Sequence, residues 1–296
     1  MKQHFQQIDI LKGLAIVAVL LLHSLTREQL VGSYAVFHIW QAVPVFMVLM
    51  GLNLGMSYGS KTLHYNQLYT PHYFQKKALR IIFPLLLIYV IAIVAGYAWD
   101  QVYAREVFTL SWKNLIGVLP VSGKGNYFIT LLLQSLLALP LIGYTFNRWP
   151  VRTSFVLVLI EIFFQLIAYN IDYFEKDRYL YDAALFRYFS AIALGMWLSR
   201  LMITTVSRYS WLLVLAGVAS VFYLYFYQYQ GIRIPYIRPE WQAQLFLTFP
   251  YATLLIYLGM ISFPQHSDFI LLRLTAAIGK ASYHIFLVQV LYFGLV

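Results

Sequence analysis

The sequence predicts an all-α membrane protein: a polytopic transmembrane helical bundle of about nine to ten spans, one domain over residues 1–296, with a cytoplasmic N-terminus. Three observations predict it. Hydrophobic residues make up 61% of the chain and charged residues only 11%, against about 25% charge in an ordinary soluble domain. The apolar residues come in runs near or above the ~20 needed to cross about 30 Å of hydrocarbon. The Lys and Arg residues sort onto alternate connections in a way that sets orientation.

The expected spans are 8–25, 34–58, 78–98, 126–146, 152–170, 184–203, 209–229, 243–263 and 276–296. The first carries Asp9 and Lys12 at its start and has no small-residue cleavage site after it, so it reads as a retained helix and not a signal peptide. The second starts among interfacial residues, His38 and Trp40, and the third follows a basic run, Lys76 to Arg80. The fourth opens at Asn126, and the fifth is interrupted by one acid, Glu161. Pro84, Pro140 and Pro250 fall within or near span ends, where a kink is tolerated. All spans must be helices, because hydrocarbon offers no water to open backbone groups. No internal repeat of the inverted-repeat transporter type is visible.

With the N-terminus inside, the inner side receives Lys2, Lys12, Lys61, Lys76, Lys77, Arg80, Arg148, Arg152, Arg200, Arg208, Arg273 and Lys280, against Asp9 and Asp268. The outer side receives Arg27, Arg105, Lys113, Lys124, Lys176, Arg178, Arg187, Arg233 and Arg238. Glu28, Asp100, Glu106, Asp172, Glu175, Asp177, Asp182 and Glu240 also fall outside. The cations thus favour the inner side, which is the cytoplasmic one. This distribution makes the net charge of +10 a matter of topology, and no nucleic-acid partner is expected. The outer connections mix Tyr, Trp, Arg and acids. That composition suits a hydroxylated substrate, and it equally suits an interfacial aromatic belt.

The chain has no cysteine, which excludes disulfides, thiolate metal sites and Cys-linked acyl intermediates. It also lacks a phosphate-cradling Gly-rich loop, a Ser-His-Asp pattern and any metal-ligand spacing, so no metal is expected.

Five constellations remain that bear on chemistry. Lys12 and His23 lie eleven positions apart, which on a helix is about 16 Å of rise and leaves them within roughly 20° of each other. Ionisable groups cost free energy in hydrocarbon, so two on one face suggest a site. Asp9 can pair with Lys12 at i,i+3, and a neutral His23 imidazole has the basicity to take a proton from a hydroxyl. A structural His bonded to a neighbouring helix fits as well. Lys76, Lys77 and Arg80 can hold phosphates of a nucleotide-bearing donor or of lipid headgroups, or act as an ordinary positive-inside anchor. His38, near the outer end of the second span, can meet His23 or serve as an interfacial anchor. Glu161 is a functional acid or a packing contact paired with Gln165 at i+4. Asn126, Tyr127 and Gln134 read as hydrogen-bonding glue between helices or as substrate contacts.

These residues resemble the membrane acyltransferase-3 family. Ile8-Asp9-Ile10-Leu11-Lys12-Gly13-Leu14-Ala15 followed by His23 is similar to its opening motif, in which ten residues separate a basic residue from a following His. Val43-Pro44-Val45-Phe46 with Gly51 resembles its second-helix segment, and Phe74 to Pro84 its basic third-helix stretch. Gly125-Asn126-Tyr127-Phe128 to Pro140 resembles its fourth-helix entrance. Ile278-Gly279-Lys280 with Ser282-Tyr283 and Ile285-Phe286-Leu287 resembles a late segment. The sequence departs from the pattern at Lys12 (commonly Arg), at Met50 (frequently Ser) and at Gln289 (often His).

The resemblance implies an integral O-acyltransferase of the inner, cytoplasmic membrane, multi-pass, modifying polysaccharide by O-acetylation or a related transfer. Acyl-CoA, acetyl-CoA in the first instance, is then the donor substrate, and membrane lipid and a glycan or lipid-linked sugar are the other partners. Lys12 and His23 become the catalytic pair, and Lys76, Lys77 and Arg80 the site of the CoA phosphates. His38, Asn126, Tyr127 and Glu161 are candidates for substrate or oxyanion contacts. Two other functions stay open at this level. A non-catalytic sensor or binding module predicts ligand binding without transfer. A lipid-linked sugar transporter predicts movement without an acyl donor.

Overall fold

A computed structural model describes residues 5–59, 64–104, 106–121, 123–203, 210–238 and 241–296. Lys2, Lys61, Arg105, Arg208 and Glu240, used above for orientation, lie outside the described residues. The main helices are α1 (Gln6–Ser24), α2 (Ala42–Tyr58), α3 (Pro71–Lys77), α4 (Phe83–Tyr103), α5 (Tyr127–Arg148), α6 (Pro150–Asn170), α7 (Phe189–Ile203), α8 (Ser210–Tyr229), α9 (Phe249–Ser262), α10 (Ile270–Lys280) and α11 (Ser282–Leu295). Among the described residues there is no β-strand, only one isolated bridge between Phe108 and Val121.

The fold is therefore all-helical, as expected. Six helical segments are long and apolar enough to cross a membrane, and seven if α10 and α11 form one bent span. Among the described residues, the expected spans at 184–203 and 243–263 contain helices of 15 and 14 residues, α7 and α9. At 1.5 Å per residue these cover only about 21–23 Å, short of about 30 Å of hydrocarbon. The chain divides into two compact units.

The first unit comprises Met1–Thr62, Thr145–Asp172 and Phe186–Ser282. Two of its helix pairs approach so closely that a single methyl has no room. A Cβ on Gly195 of α7 would lie 2.0 Å from the Val48 carbonyl oxygen of α2. One on Gly279 of α10 would lie 1.7 Å from the Asp9 carbonyl oxygen of α1. Small residues allow this approach, and close packing is what holds apolar helices together where lipid is as apolar as they are.

Hydrogen bonds sort the helix ends of this unit. At one end Gln7 Nε2 donates to the carbonyls of Met260 and Phe263 (3.0 and 2.9 Å). Gln6 Oε1 accepts from the Ser267 N–H, which joins the start of α1 to the end of α9. At the end holding the C-terminus of α1, Leu30, Ala35 and Ile39 form a small core with Leu22, Leu25 and Trp40 against it. There the Tyr251 hydroxyl donates to the Phe37 carbonyl (2.8 Å), and Tyr229 donates to that of Val31 (3.3 Å). Arg238 reaches the Tyr169 carbonyl at the end of α6 (3.3 Å). The helices thus alternate in direction, as a chain that repeatedly crosses a bilayer requires.

The connection 230–242 in this unit is tied by Gln242, which is fully buried. Its Nε2 donates to the carbonyls of Ile234 and Ile237, and its Oε1 accepts from the Ile234 N–H. Inside that clamp Tyr236 has φ 62°, and on the neighbouring connection Tyr34 has φ 56°. A left-handed L-residue costs roughly 1–2 kcal/mol.

The second unit comprises Leu63–Tyr144, Tyr173–Leu185 and Tyr283–Val296. Its irregularities trace to proline. Pro140 sits inside α5, lacks an N–H and so leaves the Leu136 carbonyl without its helical donor. The Tyr73 hydroxyl donates to that carbonyl at 2.7 Å, and Tyr69 donates to the next, on Leu137. Pro84 stands at the start of α4, and the residues before it, Ala78–Ile82, widen into a π-turn. The Ile81 carbonyl in that turn accepts from the Tyr283 hydroxyl (2.9 Å). On the connections, Lys113 pairs with Asp177 (2.7 Å), and Thr130 and Tyr179 share a hydrogen bond. Burial of the Tyr179 phenol, opposed by the Thr130 hydrogen bond and assisted by nearby Asp177, pushes its pKa up to about 12.

Removing the Tyr73 hydroxyl should leave the Leu136 carbonyl without a donor. Tyr73→Phe is expected to cost about 1–3 kcal/mol of stability. The same change should cost much less in a Pro140→Ala background, where residue 140 regains its N–H. Thermal unfolding of the four proteins in detergent measures the cycle, and equal costs in both backgrounds would refute the assignment.

Candidate active site

α1 is one unbroken helix from Gln6 to Ser24, so the helical spacing of Lys12 and His23 applies without correction. Both side chains are half-buried. Lys12 Nζ lies 3.4 Å from Oδ1 of the buried Asp9, the i,i+3 pairing expected from the sequence. A helical side chain leans toward the N-terminus of its helix, which brings Lys12 back over Asp9. His23 occupies the last turn of α1, at the end of the first unit closed by Phe37, Trp40, Gln244 and Tyr251. The helix thus separates a held cation from an imidazole by about 16 Å on one face.

His38 belongs to the same end. It is exposed, and its Nδ1 accepts from the Ile39 N–H at 2.8 Å, which starts the short 3-10 turn before α2. That bond gives the neutral ring a defined tautomer, with its proton on Nε2, so the ring can present a donor.

The basic cluster lies in the second unit. Lys76 and Lys77 form the last turn of α3, and Arg80 sits inside the π-turn. Lys77 Nζ lies over the Tyr73 ring, 5.7 Å from its centroid. Lys76 and Arg80 are exposed, and among the described residues neither has a carboxylate partner. Wide turns of this kind are frequent at functional sites, and here the widening follows from Pro84. Three cations at a helix break, none with a carboxylate partner among the described residues, suit a polyanionic ligand.

Asn126 and Tyr127 mark the start of α5. Asn126 is buried, and its Oδ1 accepts from the Leu119 N–H (3.1 Å). Gln134 donates to the Ala183 carbonyl and accepts from the Leu185 N–H. Gln134 therefore ties α5 to the segment at 183–185, whereas the Asn126 bond to Leu119 holds the connection that precedes its own helix. Gln289 likewise joins two segments, donating from Nε2 to the Lys124 carbonyl (2.9 Å).

Glu161 is 0% exposed, in the middle of α6. One carboxylate oxygen accepts from both the N–H (2.8 Å) and the hydroxyl (2.6 Å) of Ser190. The buried guanidinium of Arg187 is in electrostatic contact with it and stacks over the Tyr188 ring. These bonds to Glu161 come from another helix, whereas the sequence offered Gln165 on its own helix. Sequence reasoning missed this group because Arg187 looked like one more outer-side cation and Ser190 like a tolerated small residue. The only available signal was a cation three residues before a Ser at the start of an apolar run.

Glu161→Ala leaves the two buried Ser190 donors without their acceptor, at an expected cost of about 1–3 kcal/mol. Glu161→Gln keeps one carbonyl acceptor and should cost less. The order wild type, Glu161→Gln, Glu161→Ala in melting temperature checks this. An alanine variant that melts with the wild type would rule it out.

The sequence model of an acyltransferase domain family, acyltransferase-3, matches residues 5–296. No curated protein and no solved structure gives a significant match. The matched stretch covers nearly the whole chain, including α1 with Lys12 and His23, the π-turn with Arg80 and the buried Glu161. A match over that length, on an all-helical fold with six or seven candidate spans, identifies the chain as a member of the acyltransferase-3 family of membrane acyltransferases.

Proposed function

We propose that this protein is an O-acyltransferase of the cytoplasmic membrane that moves an acyl group, acetyl in the first instance, from cytoplasmic acyl-CoA to a hydroxyl of an extracytoplasmic glycan or envelope carrier. The observation that carries the reading is the single face of α1 that bears Lys12 and His23 along an unbroken helix. The topology belongs to the same reading: about nine to ten spans, the short α7 and α9 counted among them, with the N-terminus inside, a reading supported by the alternation of helix ends in the first unit and by the bias of Lys and Arg toward the cytoplasmic side.

His23 Nδ1 or Nε2 takes the proton of the acceptor hydroxyl as its oxygen attacks the thioester carbonyl. The tetrahedral intermediate collapses with cleavage of the carbon–sulfur bond. The imidazolium returns the proton to the departing thiolate, so the products are the ester and free CoA. Developing charge on the carbonyl oxygen calls for a donor, and His38 Nε2–H, the Asn126 amide and the Tyr127 hydroxyl are the groups able to supply one. Lys76, Lys77 and Arg80 hold the phosphates of the donor. Lys12, a point charge steadied by Asp9, offers attraction without the bidentate geometry of an Arg. Glu161 ties the middle of α6 to the start of α7.

Purified protein in nanodiscs, supplied with acetyl-CoA and cell-envelope glycan, tests the reading by transfer of label. His23→Ala should lower kcat by roughly 100- to 10,000-fold, and transfer that survives it would sink the base assignment. The double variant Lys76→Gln/Arg80→Gln should raise KM for acetyl-CoA and leave kcat near that of wild type. The gap should close with acetyl-pantetheine, which has no phosphates; an equal defect with both donors would remove the cluster from donor binding.

A further inference from the structure

At the His23 end of the first unit, the backbone displays one tyrosine in a way that packing does not explain. Tyr236 follows Pro235 in a turn and takes φ 62°, in the position of a tight turn where Gly is usual. A strained conformation persists only where its surroundings over-determine it. Here the buried Gln242 does so, bonded to the backbone on both sides of the turn. Burial does not offset the strain, because Tyr236 remains 65% exposed. Its ring stands edge to face with Tyr169, itself 39% exposed, at 6.1 Å and 78°. Arg238, two residues on, donates to the Tyr169 carbonyl and lies over the Trp241 ring, which ties the turn to the end of α6. A belt tyrosine needs only a regular helix end at the headgroup level. A ring held out by a strained and clamped turn needs something to receive.

We propose that Tyr236 and Tyr169 form a saccharide-stacking edge that receives a pyranose ring of the acceptor glycan, with Gln242 as the positioning residue that holds Tyr236 out. The inference rests on the acyltransferase reading above and adds a binding element to its acceptor side. The carbon–hydrogen face of a pyranose presents partial positive charge to the negative face of an aromatic ring, and the tyrosine hydroxyls remain at the rim to meet sugar hydroxyls.

Glycine is the informative replacement. Tyr236→Gly removes the ring and also relieves the left-handed backbone, so it should raise the melting temperature or leave it unchanged while weakening binding. The probes are water-soluble linear glucan, mannan and N-acetylglucosamine oligomers. Each is titrated against the full-length protein in nanodiscs without any acyl donor, with saturation-transfer NMR reading contact at the sugar C–H protons. At least one probe should bind the wild type. Tyr236→Gly should weaken that probe by roughly threefold to tenfold, and Tyr236→Phe should retain most of the binding. Gln242→Ala should lose both binding and thermal stability. The proposal is overturned if no probe binds the wild type, or if Tyr236→Gly binds as tightly as wild type. Glycan binding without acyl transfer would sink the enzyme reading and keep the edge. Acyl transfer with no dependence on Tyr236 would do the reverse.

Discussion

The structure depends on one constraint: no backbone carbonyl can be left bare in hydrocarbon. Helices meet it by themselves until proline interrupts them. This chain meets the interruption with tyrosine. Tyr73 serves Leu136 four residues before Pro140, and Tyr283 adds a donor to the Ile81 carbonyl in the π-turn that precedes Pro84. The same device closes loop carbonyls, with Tyr229 on Val31 and Tyr251 on Phe37. A phenol suits the task because its ring is content in an apolar layer and its hydroxyl reaches about one ring-length further than a serine's. The abundance of tyrosine, 25 residues, then has a structural cause as well as an interfacial one.

Polar residues within the helices fall into two kinds once their partners are known. Glu161, Asn126, Gln134 and Gln289 have bonds that join one segment of the chain to another, and each is buried or partly so. Lys76 and Arg80 are exposed cations without paired acids among the described residues, at a helix break. Lys12 stands between the two kinds, half-buried and 3.4 Å from the Asp9 carboxylate.

Much of the helical architecture was legible in the sequence, since hydrophobic length and proline placement are local properties. The i,i+3 pairing of Asp9 with Lys12 was legible for the same reason. The bonds of Glu161 to Ser190 were not, because these residues lie 29 positions apart and nothing local couples them. The late starts of α7 and α9 were also hidden: apolar composition continues through 184–188 and 243–248, while the backbone there turns into 3-10 and bent segments. His38 could be read as an interfacial ring or a site residue, and only the Ile39 N–H on its Nδ1 decided its tautomer. The strained turn at Tyr236 gave no signal beyond the proline before it.

The contact between Gly13 and Gly279 has a mechanical consequence. With the Thr275 carbonyl against Gly13 and the Asp9 carbonyl against Gly279, α1 resembles a keyed shaft: it cannot spin about its axis without driving backbone into backbone. His23 lies ten residues beyond Gly13, about 15 Å along the same rigid rod. The heading of the imidazole is therefore set far from the imidazole itself. Any change in the heading of the ring has to come from its own side-chain torsions or from the loops around it, while the helix that carries it stays still.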